Sequence, residues 1–135
     1  MSRRRLVDTN LIVRYLVQDH DKHARAAAEL FQACDRGDLE ILLLPVVLAE
    51  CVFVLESFYV KSRADIASVL ELFISSPGVE ISDVTVHLDA LSRYKATRAH
   101  FVDCLIAATA VAKNVAVATF DLDFRKFADV RVENQ

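Results

Sequence analysis

Two acidic residues in the first half of the chain stand where acidic residues are unexpected. Asp8 follows the apolar pair Leu6-Val7 and precedes a second apolar run, so it falls where a buried strand is expected to pass into a helix. Glu50 is the only charged residue between positions 40 and 56. On a helix that starts at Pro45, Glu50 shares a stripe with apolar residues, so we expect it to point along an apolar face.

The second half of the chain repeats this pattern. Asp103 is the only formal charge between positions 98 and 113, and its neighbours three, four and seven residues later are all apolar. The apolar run Val115 to Ala118, predicted to be a strand, is followed by Thr119, Asp121 and Asp123. A hydroxyl and acids therefore follow this strand, much as Asp8 follows the first one.

These residue types favour a site for a divalent cation. An ionised carboxylate in an apolar setting is costly unless it is paired, bound to a metal or protonated. No Lys or Arg lies within the apolar stripes of Glu50 and Asp103 to act as a partner. Carboxylate oxygens without His or Cys at ligand spacing suit Mg²⁺ or Mn²⁺ better than Zn²⁺. We therefore predict that Asp8, Glu50, Asp103 and Asp121 bind a metal together.

Each acid also has a purely structural interpretation, and the sequence leaves these open. Asp8 is a favoured type of residue for a helix N-cap. Asp121 or Asp123 suits a turn or a cap. Glu50 and Asp103 would be partly exposed if their helices were rotated differently. The segment Asp19 to His23 offers two His residues three apart, but its polar composition favours the start of a helix over a metal site.

The elements that must position these residues alternate between strands and helices. The pattern predicts strands over 5–8, 39–44, 79–81, 115–118 and 130–132, and helices over 11–18, 21–37, 45–58, 63–75, 84–98, 101–113 and 124–128, with Thr9 or Asn10 as the first cap. Strands that are apolar on both faces and alternate with helices are typical of a parallel sheet with helices on both sides.

The fold class predicted from this order is α/β, a three-layer α/β/α sandwich with a central parallel sheet. The chain has 135 residues, two Gly, two Pro and no repeat, which favours a single domain over 1–135. Ligands of such sheets gather beyond the carboxyl ends of the strands. Asp8 and Asp121 should therefore converge.

Composition narrows the functional classes. The net charge of −3 argues against a protein that holds nucleic acid by bulk electrostatics. The hydrophobic share of 54% leaves apolar surface for a partner, for which a homodimer is a reasonable expectation. Three widely spaced cysteines favour reduced, buried thiols in the cytoplasm. No secretion signal is expected, because the basic start reaches Asp8 within a few residues, and no run is apolar enough for a membrane span.

Four segments together resemble the PIN-domain ribonucleases, most closely the small VapC-type toxins of toxin–antitoxin pairs. They are LVDTNLIVRYL around Asp8, LPVVLAECVFVL around Glu50, FVDCLIAATAVAKNVAVAT around Asp103, and TFDLDF around Asp121. The resemblance covers nearly the whole chain. It implies the α/β/α sandwich and an acidic pocket that binds Mg²⁺ or Mn²⁺.

The resemblance also implies an activity and partners. The chain would be an Mg²⁺- or Mn²⁺-dependent endoribonuclease, the toxin of a type II toxin–antitoxin pair, that cleaves tRNA, rRNA or mRNA to leave 5′-phosphate and 3′-hydroxyl ends. Its catalytic and metal-binding residues would be Asp8, Glu50, Asp103 and Asp121, with Thr9, Asn10, Thr119 and Asp123 as supporting polar groups. A homodimer and a cognate antitoxin whose tail blocks the pocket are implied as well.

Two other functions compete with this one. A phosphoacceptor signalling domain shares the length, the fold class and the acidic pocket, but it needs a Lys at the end of a late strand, and Lys113 instead precedes its strand. A catalytically idle binding module of the same fold is the other alternative. The sequence leaves open which basic residues would hold RNA. The candidates are Arg14, Lys61, Arg63, Arg93, Arg98 and Arg125. His100 is interpreted as a helix-start residue.

Overall fold

The computed structural model describes residues 3–18 and 21–135 and divides the chain into two compact units, residues 1–84 and 85–135. Each unit is described by itself below. Both contain parallel strands connected through helices, which confirms the predicted α/β class. That the whole chain acts as one domain stays a prediction.

The first unit builds a three-stranded parallel sheet in the order β1-β2-β3. Arg5 of β1 lies opposite Ile41 of β2, and Ile41 lies opposite Val79 of β3. The elements are β1 Arg4–Leu6, α1 Thr9–Val17, α2 Lys22–Asp35, β2 Glu40–Leu42, α3 Pro45–Ser57, α4 Arg63–Ile74 and β3 Val79–Glu80.

Side-chain caps and Pro45 set the starts of these helices. Asp8 caps α1, Asp21 caps α2 and Ser62 caps α4, each by accepting a backbone N–H of the first turn. Pro45 occupies the first turn of α3, where its missing N–H is not needed. The sequence favoured a helix start over a metal site at 19–23, and α2 does begin there, at Lys22. Asp19 and His20 lie outside the described residues.

The core of the first unit lies between these helices and the middle strand. Ile12, Ile41, Leu48 and Leu70 are buried, and Phe31 packs edge-on against Phe73 of α4 with ring centroids 5.4 Å apart. The expectation that strands are buried on both faces is wrong for β1, where Leu6 is 64% exposed. All three residues of β1, an edge strand, are exposed.

The second unit packs two helices with a two-stranded parallel sheet, β4-β5. Its elements are α5 Val84–Ala96, α6 Phe101–Lys113, β4 Val117–Thr119, a 3₁₀ helix Leu122–Lys126 and β5 Val132–Asn134. Tyr94 is fully buried and meets Phe101 edge-on, with centroids 6.1 Å apart.

Three predicted boundaries in the second unit are wrong, for local reasons. β4 starts at Val117 rather than Val115, because Asn114 turns left-handed and the Val115 N–H still bonds to the Ala110 carbonyl of α6. The last helix starts at Leu122 because Asp121 caps it. The final strand runs over Val132–Asn134 rather than 130–132, pairing with β4 residue by residue.

Two further expectations concern the cysteines and the membrane. Cys34, Cys51 and Cys104 are buried and form no disulfide with one another, which confirms the prediction of buried thiols. Across residues 3–18 and 21–135, every helix is too short or too polar to cross a bilayer.

Candidate active site

Asp8 lies at the junction of β1 and α1, as predicted, but it is the cap of α1 rather than the residue before the cap. Its Oδ1 accepts the Leu11 N–H at 3.0 Å, and the carboxylate is exposed. The prediction that Thr9 or Asn10 caps this helix is wrong, because both already belong to the helix. Thr9 is buried, and its Oγ1 has no hydrogen-bond partner among the described residues, while Asn10 is exposed.

Glu50 is carried by α3, whose buried residues are Leu48, Cys51, Val52 and Leu55. Glu50 itself is exposed, so the prediction that it faces inward is wrong. Its helical neighbours Val46 and Phe53 are apolar, as the stripe predicted, but they are exposed as well. The hydrophobicity of α3 on nearly all sides made its inner face impossible to choose from the sequence.

Both acids of the first unit affect the pKa of the buried thiol of Cys51. Burial raises the pKa of Cys51 to about 12, and the negative charges of Glu50 and Asp8 add to this rise. α1, which Asp8 caps, packs against α3, which carries Glu50. The fold thus brings Asp8 and Glu50 to the same region of the first unit.

Three acids of the second unit line one pocket of about 170 Å³. They are Asp103, in the first turn of α6, with Asp121 and Asp123, which stand before and within the 3₁₀ helix. Asp103 is half-buried, while Asp121 and Asp123 are exposed. The lining also includes three basic side chains, Arg98, His100 and Lys126, together with Phe124 and Phe127.

Short hydrogen bonds order the acidic loop after β4. Thr119 Oγ1 accepts the Asp121 N–H at 2.9 Å, and Asp121 Oδ1 accepts the Asp123 N–H at 2.8 Å. The structural role foreseen for Asp121 as a cap is therefore real, as it is for Asp8. In both carboxylates one oxygen is held by a backbone N–H, which fixes the orientation of the second oxygen.

The donor chemistry of these groups fits a hard divalent cation, because every acid offers carboxylate oxygens and nothing softer stands among them. Within residues 3–18 and 21–135, however, no group of three or more His, Cys, Asp or Glu residues is arranged to hold a metal ion. The acids fall into one set in each unit, Asp8 with Glu50 and Asp103 with Asp121 and Asp123. Their convergence into one four-carboxylate site stays a prediction.

Most of the candidate basic residues have other partners. Arg14 pairs with Asp21, Arg63 with Glu56, and Arg93 with Asp89 and Asp129. Arg125 donates to Asn134 Oδ1, and Lys61 lines a different pocket of the first unit.

Of the candidates, only Arg98 lines the acidic pocket. Sequence reasoning missed Lys126, although it lies three residues after Asp123. His100 begins α6, as predicted, and lines the pocket as well.

Comparison with known proteins matches one family model and five chains of solved structures. No curated protein matches. Among solved structures, the crystal structure of VapBC2 from Rickettsia felis bound to a DNA fragment from its promoter is similar, with 21% identity over 97% of this chain and 98% of that one, at a TM-score of 0.37. The family model of the PIN domain matches residues 5–130, across both units. The chain therefore belongs to the PIN domain family.

Proposed function

We propose that this chain is a metal-dependent endoribonuclease and the toxin component of a type II toxin–antitoxin pair. The observation that carries the proposal is the pocket lined by Asp103, Asp121 and Asp123 in a chain of the PIN domain family. PIN domains are generally nucleases, and an acidic pocket is the kind of site at which nucleases hold divalent cations.

The proposed metal ligands are Asp8, Glu50, Asp103 and Asp121. A bound Mg²⁺ or Mn²⁺ would supply Lewis-acid activation of water and neutralise charge at the reacting phosphate. Asp123, Thr9, Asn10 and Thr119 would support these carboxylates as polar neighbours, Thr119 through its bond to the Asp121 N–H.

The proton that leaves the attacking water needs an acceptor, for which Asp8 and Asp121 are the proposed candidates. Each of them has one oxygen held by a backbone N–H, from Leu11 and Asp123 respectively. A carboxylate fixed in this way loses little rotational freedom when its second oxygen takes up a proton or a ligand.

The proposed setting is the cytoplasm, with RNA as substrate, a cognate antitoxin as partner and a homodimer as the assembly. An exposed apolar groove of the second unit supports a protein partner, since contiguous exposed apolar area often marks an interface. The exposed side chains of Val102, Ile106 and Val115 line this groove together.

A catalytically idle binding module is the second candidate. In its favour, the described residues contain no group of three His, Cys, Asp or Glu side chains placed to hold one metal ion. A phosphoacceptor domain has no such support, because Lys113 ends α6 and so precedes β4 instead of following it.

The deciding experiment is RNA cleavage by the purified full chain with Mg²⁺, with Mn²⁺ and with EDTA. Asp8→Asn and Asp103→Asn test one acid from each unit, and Glu29→Gln, an exposed acid of α2, is the matched control. We expect cleavage by wild type and the control only with metal, and a loss of at least 100-fold in both site variants. Cleavage indifferent to EDTA, or equal in all proteins, would overturn the proposal.

The toxin assignment has its own test. Expression of the chain without an antitoxin should slow growth, and Asp103→Asn should relieve the effect. Unaffected growth in several hosts would contradict the toxin role while leaving the nuclease chemistry intact.

A further inference from the structure

The acidic pocket of the second unit carries positive and negative groups that do not pair. Arg98 and Lys126 line it together with Asp103, Asp121 and Asp123. Neither base forms an ion pair within 4.0 Å with any acid in residues 3–18 and 21–135. Nearby Arg93, by contrast, binds two carboxylates. The pocket therefore keeps its opposite charges apart.

The backbones that carry these two bases are well anchored. Arg98 lies between α5 and α6, where Thr97 Oγ1 donates to the Arg93 carbonyl at 2.8 Å and accepts the Ala99 N–H at 3.2 Å. Lys126 ends the 3₁₀ helix, between the buried residues Phe124 and Phe127. Two cations on fixed backbone, facing a shared space, are suited to an anionic ligand.

The start of α6 adds to this positive character. His100 is the cap of α6, but its side chain accepts no backbone N–H of the first turn. The first turn of a helix carries unsatisfied N–H groups and partial positive charge, which favour a phosphate. This helix end belongs to the same pocket, because both His100 and Asp103 line it.

An exposed aromatic residue directly precedes Asp121, which lines the pocket. Phe120 lies between Thr119 and Asp121 and is 86% exposed, the largest exposed fraction of any large apolar side chain in the described residues. Proteins bind single-stranded nucleic acid by combining cations that hold phosphates with aromatic rings that stack on bases. Bases of a duplex already stack on each other, so only an unpaired base can cover such a ring.

We propose that Arg98 and Lys126 bind the phosphates, and Phe120 stacks on a base, of one unpaired RNA strand that runs along the acidic pocket. This inference rests on the proposed nuclease function and names the residues that position its substrate. Arg98, Lys126 and Phe120 are positioning residues, which hold the strand while the carboxylates act. An RNA strand suits these residues better than an acidic peptide does, because it carries a base that can stack on a ring beside each of its phosphates.

Binding in EDTA tests the proposal apart from catalysis. The probe is a fluorescein-labelled RNA of 12 nucleotides without secondary structure, and a duplex of the same sequence is the comparison; fluorescence anisotropy is measured with the full chain at several salt concentrations. The variants are Arg98→Gln, Lys126→Gln, Phe120→Ala and Phe120→Trp. The controls are Arg125→Gln, whose partner is Asn134, and Leu122→Ala, another exposed apolar residue of the same loop.

We expect wild type to bind the single strand more tightly than the duplex. Each of the two Gln variants should weaken binding and lower the salt dependence of the affinity by about one unit of slope, the signature of one lost phosphate contact. Phe120→Ala should weaken binding about tenfold with the slope unchanged, and Phe120→Trp should restore it. The controls should bind like wild type, and circular dichroism should show every variant folded.

The outcomes separate this proposal from the nuclease proposal. If wild type cleaves RNA with metal while the Arg98, Lys126 and Phe120 variants bind and cleave equally well, the positioning role is wrong and the nuclease stands. If these variants lose binding while no metal supports cleavage by wild type, the nuclease is wrong and the strand-binding role stands. Equal affinity for duplex and single strand would overturn the inference.

Discussion

Arg93 of α5 and Asp129 form a two-pronged ion pair, with the two N–O distances at 2.8 and 2.5 Å. The guanidinium also donates to Asp89 at 3.1 Å and lies over the ring of Phe127, 5.7 Å from its centroid. Because Phe127 lines the acidic pocket, this pair connects α5 to the residues behind that pocket. The arginine side chain is 13% exposed and that of Asp129 is 53% exposed.

The first prediction is that Arg93→Lys destabilises the protein by about 1 kcal/mol. A lysine keeps the charge but loses the planar fork, and the loss is modest because water screens Asp129. Thermal unfolding measures it, and Arg125→Lys is the control, since it affects one exposed contact to Asn134. Equal melting temperatures for Arg93→Lys and wild type would contradict the structural role of the pair.

The same pair predicts an effect of pH. The Arg93 guanidinium lowers the pKa of Asp129 in the folded chain. A lowered pKa contributes stability that is present above the unfolded value, about 3.9, and is lost as the pH falls through the folded value. The difference in stability between wild type and Arg93→Lys should therefore shrink in acid below about pH 4.

A second prediction concerns the two glycines with positive φ, Gly37 at +85° and Gly78 at +84°. A Cβ on Gly78 would lie 2.6 Å from Cys34 Sγ, whereas one on Gly37 would meet nothing within 4 Å. Gly37→Ala should thus cost only backbone strain, about 1–2 kcal/mol, and Gly78→Ala should cost more because the thiol must move. Adding Cys34→Ala should recover part of the stability lost in Gly78→Ala and none of that lost in Gly37→Ala. Equal losses of stability for Gly37→Ala and Gly78→Ala in urea unfolding would contradict the clash.

The sequence foresaw the types and order of the main elements because apolar periodicity is a local signal. Asp103, Asp121 and Asp123, which the sequence picked out as acids, line one pocket. That this pocket is part of a catalytic site stays a prediction. The sequence failed where a decision depends on tertiary packing. The hydrophobic helix α3 gave no clue to which face is buried, so Glu50 was predicted to point inward although it is exposed.

Side-chain pairing was equally hidden from the sequence. Arg14, Arg93 and Arg98 looked alike as candidates for RNA contact, yet the first two are bound to carboxylates and only Arg98 lines the acidic pocket. The partners Asp21 and Asp129 could not be assigned by pattern, because arginine side chains reach residues close to or far from them in the chain.

A third prediction separates the capping role of Asp8 from its proposed role in catalysis. Asn caps helices as well as Asp does, so Asp8→Asn should keep the stability within about 0.5 kcal/mol while abolishing RNA cleavage. Asp8→Ala should lose cleavage and about 1 kcal/mol of stability. Ser62→Ala, which removes the cap of α4, is the matched control: it should lose similar stability and keep cleavage. Cleavage by Asp8→Asn at the wild-type rate would leave Asp8 with the cap alone.

A fourth prediction concerns Val60, which has a φ of 51° and is 82% exposed. The left-handed conformation is costly for a β-branched residue. Because the side chain is exposed, its removal should lose little packing. Val60→Gly should raise the stability by about 0.5–1 kcal/mol, and Val60→Asn should raise it by less. As a control, Val102→Gly on α6 should lower it, because glycine weakens a helix. A fall in melting temperature for Val60→Gly would be the contrary result.

The last prediction uses Cys51, the buried thiol near Asp8 and Glu50. Burial, followed by the charges of these two acids, raises the pKa of Cys51 to about 12 from an ordinary value of 9.0. The unfolded chain releases the thiol proton near pH 9 while the folded chain keeps it. Stability contributed by the protonated thiol is therefore complete below about pH 9 and is lost, by about 1.4 kcal/mol per pH unit at most, as the pH rises toward 12.

Urea unfolding of wild type and Cys51→Ala at pH 8 and pH 10 measures this effect, because titrations common to both proteins cancel in the difference. Wild type should lose more stability than Cys51→Ala between the two pH values. The double variant Asp8→Asn with Glu50→Gln removes both negative charges and should lower the pKa of the folded thiol. Because the folded thiol stays protonated at pH 10 in both proteins, they should differ only as the pH approaches 12, where the double variant should lose less stability than wild type. Equal losses up to that pH would contradict a contribution of the two carboxylates to the pKa of Cys51.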